Sequence, residues 1–185
     1  MRIIAGAYKG RNLKSPPSMQ VRPTSDRLRE TLFNVIAPRI EGARFLDLCA
    51  GSGAVGIEAS SRGAEHVTFV DRSRRSCQLI ESNVQLCRIP EEQYEIYQTT
   101  AEDFLSHQKA QKTQKESEEI GGWDIVFFDP PYKEDYVRTL ELLGSYQGLL
   151  IVEHHHKNNL PETAGQLVRT RILKQGDSSL SFYEG

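Results

Sequence analysis

Phe45–Ala59 reads FLDLCAGSGAVGIEA. An apolar run carries a carboxylate near its end, and glycines follow at 51, 53 and 56 before a run of small and apolar residues. This is G-x-G-x-x-G spacing between a strand and a helix. The glycines permit a tight turn and let a ligand approach the backbone closely. Asp47 stands four residues before Gly51, and Asp71 closes the next apolar run, twenty residues after Gly51. A carboxylate at that second position can accept hydrogen bonds from ribose hydroxyls. The stretch therefore predicts a parallel α/β unit with an adenosine-containing ligand at the ends of its strands. Nicotinamide enzymes share the glycine spacing, so the turn alone does not choose the chemistry.

Outward from the turn the pattern alternates. Phe45–Cys49, Val67–Asp71, Tyr94–Gln98, Ile125–Asp129 and Leu149–Glu153 read as strands. Val55–Ser61, Arg74–Leu86, Glu102–His107 and Glu134–Leu143 read as the helices between them. Residues 107–122 are polar and low in complexity, and read as a loop or an extended helix end. Leu167–Lys174 and Leu180–Tyr183 are joined by a link too short for a parallel crossover, so they must pair antiparallel. Upstream, Arg2–Ala5 and Arg11–Lys14 suggest a small β-hairpin. Thr24 or Ser25 can cap a helix whose Leu28, Leu32, Val35 and Ile36 share a face, with Arg27 and Arg29 pointing elsewhere and Pro38 and Gly42 ending it. The expected fold is α/β: a mainly parallel seven-stranded sheet with an antiparallel C-terminal edge hairpin. Residues 1–42 form an N-terminal hairpin and helix, and residues 43–185 the ligand-binding domain.

The fourth strand runs into Asp129-Pro130-Pro131-Tyr132. Strands of such a sheet end at one edge, so Asp129 should face the same crevice as Gly51 and Asp71. An exocyclic amine on a base is a poor nucleophile because its lone pair is delocalised into the ring. The Asp129 carboxylate and the Pro130 carbonyl can accept its hydrogens and favour charge developing on nitrogen as it attacks a methyl group. Pro131 stiffens the turn, and Tyr132 offers a face for stacking. A nicotinamide oxidoreductase would have no such role for this tetrad. A purely RNA-binding module would have no use for three acids at one edge.

The bulk composition narrows the class. A chain of 185 residues with 26% charged residues and a net charge of -2 is an ordinary globular chain, with any nucleic-acid affinity confined to a patch. It has no apolar run of 18 residues, so no membrane span is expected, and no signal-peptide core. Cys49, Cys77 and Cys87 lack CxxC spacing, which suggests reduced thiols in a cytoplasmic protein. Consecutive strand residues point to opposite faces, so His154-His155-His156 should not converge on a cation, and no metal is expected.

FLDLCAGSGAVGIEA followed by FFDPPY resembles the class I, S-adenosylmethionine-dependent amino-methyltransferases, whose fold is Rossmann-like. RIIAGAYKGRNLK, VRPTSDRLRETLFNVI, SRGAEHVTFVD and the final LSFYEG resemble the RsmD family, nearly end to end. That resemblance implies an enzyme that methylates N2 of a guanine in bacterial 16S rRNA, of the guanine-966 type. A methyltransferase acting on DNA base amines or on another RNA is the neighbouring possibility. The resemblance implies S-adenosylmethionine held by Asp47, Ala50, Gly51, Gly53, Asp71, Arg72, Ala101 and Glu102, and catalysis by Asp129, Pro130, Pro131 and Tyr132. Relatives carry an adenine-contacting acid in the TTAEDFL stretch. Thr100 occupies that place here, with Glu102 and Asp103 displaced toward the helix, so Thr100 and Glu102 both remain candidates. Arg22, Pro23, Thr24 and Arg27 match the N-terminal signature near the site mouth. Basic residues crowd the first thirty positions, and Lys9, Arg11, Arg22, Arg27 and Arg29 are the expected RNA contacts. The expected partner is 16S rRNA within an assembling small ribosomal subunit, and the expected state is a monomer.

Overall fold

The structure is a computed structural model, and it describes residues 1–16, 25–112, 122–131 and 136–185. The described strands are β1 (Arg44–Leu48), β2 (His66–Asp71), β3 (Tyr94–Gln98), β4 (Ile125–Phe128), β5 (Leu149–His155), β6 (Thr163–Ala164), β7 (Leu167–Gln175) and β8 (Ser178–Glu184). They form one sheet in the order β3-β2-β1-β4-β5-β8-β7-β6. The first five are parallel, and the last three run antiparallel to their neighbours. The sheet thus has eight strands where seven were expected. The extra strand is a two-residue pairing of Thr163 and Ala164 with Val168 and Leu167, too short for any periodicity to register.

Strands β1, β4 and β5 are buried on both faces because helices cover both. On one face Phe45, Phe69, Phe127 and Ile151 pack with residues of helices α1 (Asp26–Ile40), α2 (Ala54–Ser61) and α3 (Arg74–Cys87). On the other, Leu46, Val70, Phe128 and Val152 pack with residues of α4 (Ala101–Lys112) and α5 (Tyr136–Leu142). Helix α4 runs five residues beyond the expected His107, taking up the start of the polar stretch.

The N-terminal segment shares the first of these cores: Ile3, Leu13, Leu28 and Phe33 are buried in one cluster with Phe45 and Ile57. Its hairpin reduces to one antiparallel bridge, Arg2 with Asn12, flanked by Ile3 N–H to Arg11 O at 3.0 Å and Leu13 N–H to Met1 O at 2.9 Å. Ser25 caps α1, its side chain accepting from the Leu28 N–H at 3.1 Å. The helix does not stop at Pro38 but continues to Ile40. In a last turn proline forfeits one backbone bond, and Ile36 and Ile40, buried on either side of it, hold the helix to the core.

One expectation about α1 fails. Arg29 does not point outward: it is fully buried. It lies beside Leu28, Leu32 and Phe33 on the core-facing surface and donates to the Arg2 carbonyl and to Asp26, with Glu58 Oε2 at 3.7 Å. Glu58, also fully buried, accepts from Ile4 N–H at 2.9 Å, Ala5 N–H at 3.0 Å and Arg62 Nε at 2.8 Å. Burial lowers the Arg29 pKa, and the Asp26 and Glu58 charges oppose that shift. This buried cluster latches the N-terminal segment to α2. Gly6 completes the latch. It has φ +83, and a Cβ there would lie 1.8 Å from the Ser61 carbonyl oxygen.

Candidate active site

Strand order reverses between β1 and β4, and in an open α/β sheet the crevice outside the carboxyl ends at such a switch point is where ligands bind. The glycine turn leaves β1 there, and Asp129 leaves β4. The two strands are paired Leu48 to Phe128, and the Asp129 N–H reaches the Leu48 carbonyl at 3.3 Å. Asp129 therefore stands directly beside the glycine turn, although about eighty residues separate them in the chain. It is half-buried, Pro130 is buried and Pro131 is exposed. Tyr132 lies outside the described residues, as do Arg22, Pro23 and Thr24.

The turn is held by backbone N–H groups donating to carboxylates. Asp71 Oδ2 accepts from the Gly51 N–H at 2.8 Å, and Oδ1 accepts from the Ser73 N–H at 2.8 Å. Each oxygen keeps a second lone pair for another donor. Asp47 is buried, and its Oδ2 accepts from the Gly56 N–H at 2.9 Å. Gly56 has to be glycine for packing: a Cβ there would lie 2.3 Å from the Phe69 ring. At Gly51, by contrast, a Cβ would meet nothing within 4 Å. The turn thus presents open backbone beside the half-buried Asp71 carboxylate, which suits a small ligand carrying hydroxyls.

Burial pushes the Asp47 carboxyl from its ordinary 3.8 up to about 7; the Gly56 hydrogen bond opposes this and the Asp71 charge adds to it. The folded value lies above the unfolded one, so the folded chain keeps a proton that the unfolded chain releases. Stability is therefore expected to fall as pH rises from about 4 to about 7, by up to roughly 4 kcal/mol. Thermal melts of the ligand-free protein across that range should show this slope, and Asp47→Asn should flatten it. A wild-type slope unchanged in Asp47→Asn would assign the dependence to other groups.

Thr100 and Glu102 are both engaged. Thr100 Oγ1 accepts from the Asp103 N–H at 3.0 Å and caps α4, while Glu102 pairs with Arg138 of α5 at 3.2 Å. Ala101 between them is buried. Ala50 donates its N–H to the Val70 carbonyl at 3.0 Å, and Arg72 is exposed just beyond β2.

The expected RNA contacts divide. Lys9 and Arg27 are exposed. Arg11 is half-buried, lies over the Tyr8 ring and donates to the Leu86 and Cys87 carbonyls at the end of α3, so much of its guanidinium is committed within the fold. Arg29 is internal and presents no charge to solvent. Arg74 and Arg75, which composition did not single out, are exposed in the first turn of α3, a few residues after Asp71 in the chain. A helix N-terminus disfavours cations, and that mismatch was the available signal.

The histidine run also departs from expectation. His154 is buried against Ser181. The chain turns at the end of β5, so ligand-capable atoms of His155, His156 and Asp177 come within 4.8 Å of one another. His155 Nδ1 accepts from the Lys157 N–H at 3.1 Å, and His156 Nδ1 lies 3.2 Å from the Asp177 carbonyl. None of the described helices is long and apolar enough to cross a membrane.

The chain resembles known proteins over its whole length. A family model described as Conserved hypothetical protein 95 matches residues 1–184. The YlbH protein of Bacillus subtilis is 39% identical over 190 residues, covering 100% of this chain and 98% of that one. Ribosomal RNA small subunit methyltransferase D of Escherichia coli K12 is 38% identical over 190 residues, covering 100% of this chain and 89% of that one. The solved structure of yhhF from Escherichia coli superposes with a TM-score of 0.82 at 33% identity, covering 99% of this chain and 96% of that one. Matches of this extent, on a chain whose glycine turn, Asp71 and Asp129 meet at one switch point, show that it belongs to the RsmD family of S-adenosylmethionine-dependent methyltransferases.

Proposed function

We propose that the protein methylates the exocyclic N2 of a guanine in 16S rRNA, acting in the cytoplasm on an assembling small ribosomal subunit. The observation that carries this reading is the seating of Asp129 beside the glycine turn, through the Leu48–Phe128 pairing. Asp47, Gly51 and Gly53 would hold the methionine side of S-adenosylmethionine, and Asp71 its ribose. The bound cofactor supplies a methyl group on a sulfonium. The Asp129 carboxylate and the Pro130 carbonyl accept the two amine hydrogens and align the nitrogen lone pair with the methyl carbon. Transfer of that methyl to the nitrogen would leave the bonding electron pair on sulfur, and the proton released from the methylated nitrogen would pass by way of the Asp129 carboxylate to solvent. The name of the Escherichia coli relative, a small-subunit rRNA methyltransferase, supports the substrate class.

The test is labelled methyl transfer from S-adenosylmethionine to small subunits lacking their native methylation, followed by nucleoside analysis. N2-methylguanosine at one position supports the reading. Transfer to DNA, to protein or to another base amine overturns it, and equal rates on protein-free rRNA overturn the subunit requirement.

Arg74 and Arg75 should contribute to the RNA face together with Lys9 and Arg27. Arg74→Ala with Arg75→Ala is expected to lower the slope of log affinity for rRNA against log salt by about one for each phosphate no longer neutralised. S-adenosylhomocysteine affinity should not change. An unaltered slope would remove both residues from the interface.

A further inference from the structure

Asn83 lies on α3 and is buried. Its side-chain amide makes three hydrogen bonds. Nδ2 donates to the Ser52 carbonyl at 2.9 Å and to the Lys14 carbonyl at 3.1 Å, and Oδ1 accepts from the Lys14 N–H at 2.8 Å. Both amide protons are used, and both backbone groups of Lys14 are paired as a neighbouring strand would pair them. Ser52 is the residue between Gly51 and Gly53. Lys14 belongs to the N-terminal hairpin segment, eight residues before Arg22. A second, weaker contact joins the same two segments, with Ser52 Oγ 4.0 Å from Met1 Sδ.

A leucine has the same branching as asparagine but offers this site no polar group. The amide is useful because the Ser52 carbonyl and the Lys14 carbonyl and N–H all face it, and an unpaired buried group costs about 1–3 kcal/mol. One side chain answers both needs. The cofactor turn and the arm that leads to the N-terminal signature are thereby held in a single register.

We propose that Asn83 is a positioning residue that couples the cofactor turn to the N-terminal arm, so that filling the cofactor site steadies the arm that receives RNA. The RNA part rests on the function proposed above; the tie between the two segments does not. Coupling of this kind is reciprocal, so the arm's substrate strengthens cofactor binding by the same factor.

The test uses the full chain and S-adenosylhomocysteine, with amide hydrogen exchange as the readout and no RNA present. The Ile3 and Leu13 amides are bonded within the hairpin, to Arg11 and Met1 carbonyls, and not to Asn83. In the wild type their exchange should slow on the order of fivefold when the cofactor site is filled. In Asn83→Leu they should stay protected but stop responding. Asn83→Ala removes all three bonds without added bulk or charge, and serves if the leucine variant does not fold. A residue that only stabilises the fold would lower protection in both states and leave the response intact. A wild type without response, or variants that respond like wild type, overturn the proposal. If the response vanishes in the variants while rRNA affinity of the wild type ignores S-adenosylhomocysteine, the tie stands and the arm's RNA role falls.

Discussion

Asp129→Ala is expected to lower the rate of methyl transfer on the order of 10³-fold while leaving S-adenosylhomocysteine affinity close to wild type. The carboxylate sits where β4 meets the crevice, and its backbone, not its side chain, is bonded to Leu48. Truncation removes an acceptor for the amine and leaves that backbone bond in place. The interaction removed develops with charge on nitrogen, so it is worth most in the transition state and little in the ground state. Single-turnover rates with saturating cofactor isolate this step, and calorimetry with S-adenosylhomocysteine supplies the control. Asp71→Ala should behave oppositely. It strips the Gly51 and Ser73 N–H groups of their acceptor and should weaken cofactor binding about 10²-fold, as expected when two hydrogen bonds to a charged group are removed. Near-normal turnover in Asp129→Ala would mean that the roles assigned to these two acids are wrong.

The second large effect concerns the latch. Glu58→Ala is expected to destabilise the protein by about 3–5 kcal/mol. Glu58 accepts from Ile4, Ala5 and Arg62 and faces Arg29 across 3.7 Å, all with no exposure of its own side chain. Removing it leaves a buried guanidinium with, among the described residues, the partly exposed Asp26 as its counter-charge, and two backbone N–H groups without their acceptor. Against a typical total of about 5–15 kcal/mol, that loss is large. Urea unfolding followed by far-UV circular dichroism measures it directly. Glu58→Gln keeps one acceptor oxygen for the amides and should cost less than alanine. A loss below about 1 kcal/mol in the alanine variant would show that the cluster contributes specificity of docking and little stability.

Arg29 and Glu58 also show where sequence patterns mislead. Arg29 counts as a surface cation in any local tally, yet it falls on the core side of α1 because an acid from another helix is there to meet it. Glu58 is the lone charge in AVGIEASS, a helix whose other residues are all small or apolar, and that isolation was a legible hint of a buried partner. Asn83 left no such hint, since an amide on an amphipathic helix looks the same whether it faces water or two backbone segments.

What the sequence determined by itself was local. The period of apolar residues separated strands from helices, the glycine spacing specified the turn after β1, and the short link before β8 required antiparallel pairing. These depend on neighbours a few positions away, so a linear reading reaches them. The tertiary structure decided everything that brings distant positions together. It placed β4 beside β1 and so Asp129 beside Gly51, turned Arg29 inward, gave Asn83 its two partners and let His155 and His156 meet Asp177. Those outcomes follow from which strands pair and which faces pack, and pairing across a hundred residues is decided by the whole core at once and not by any one stretch.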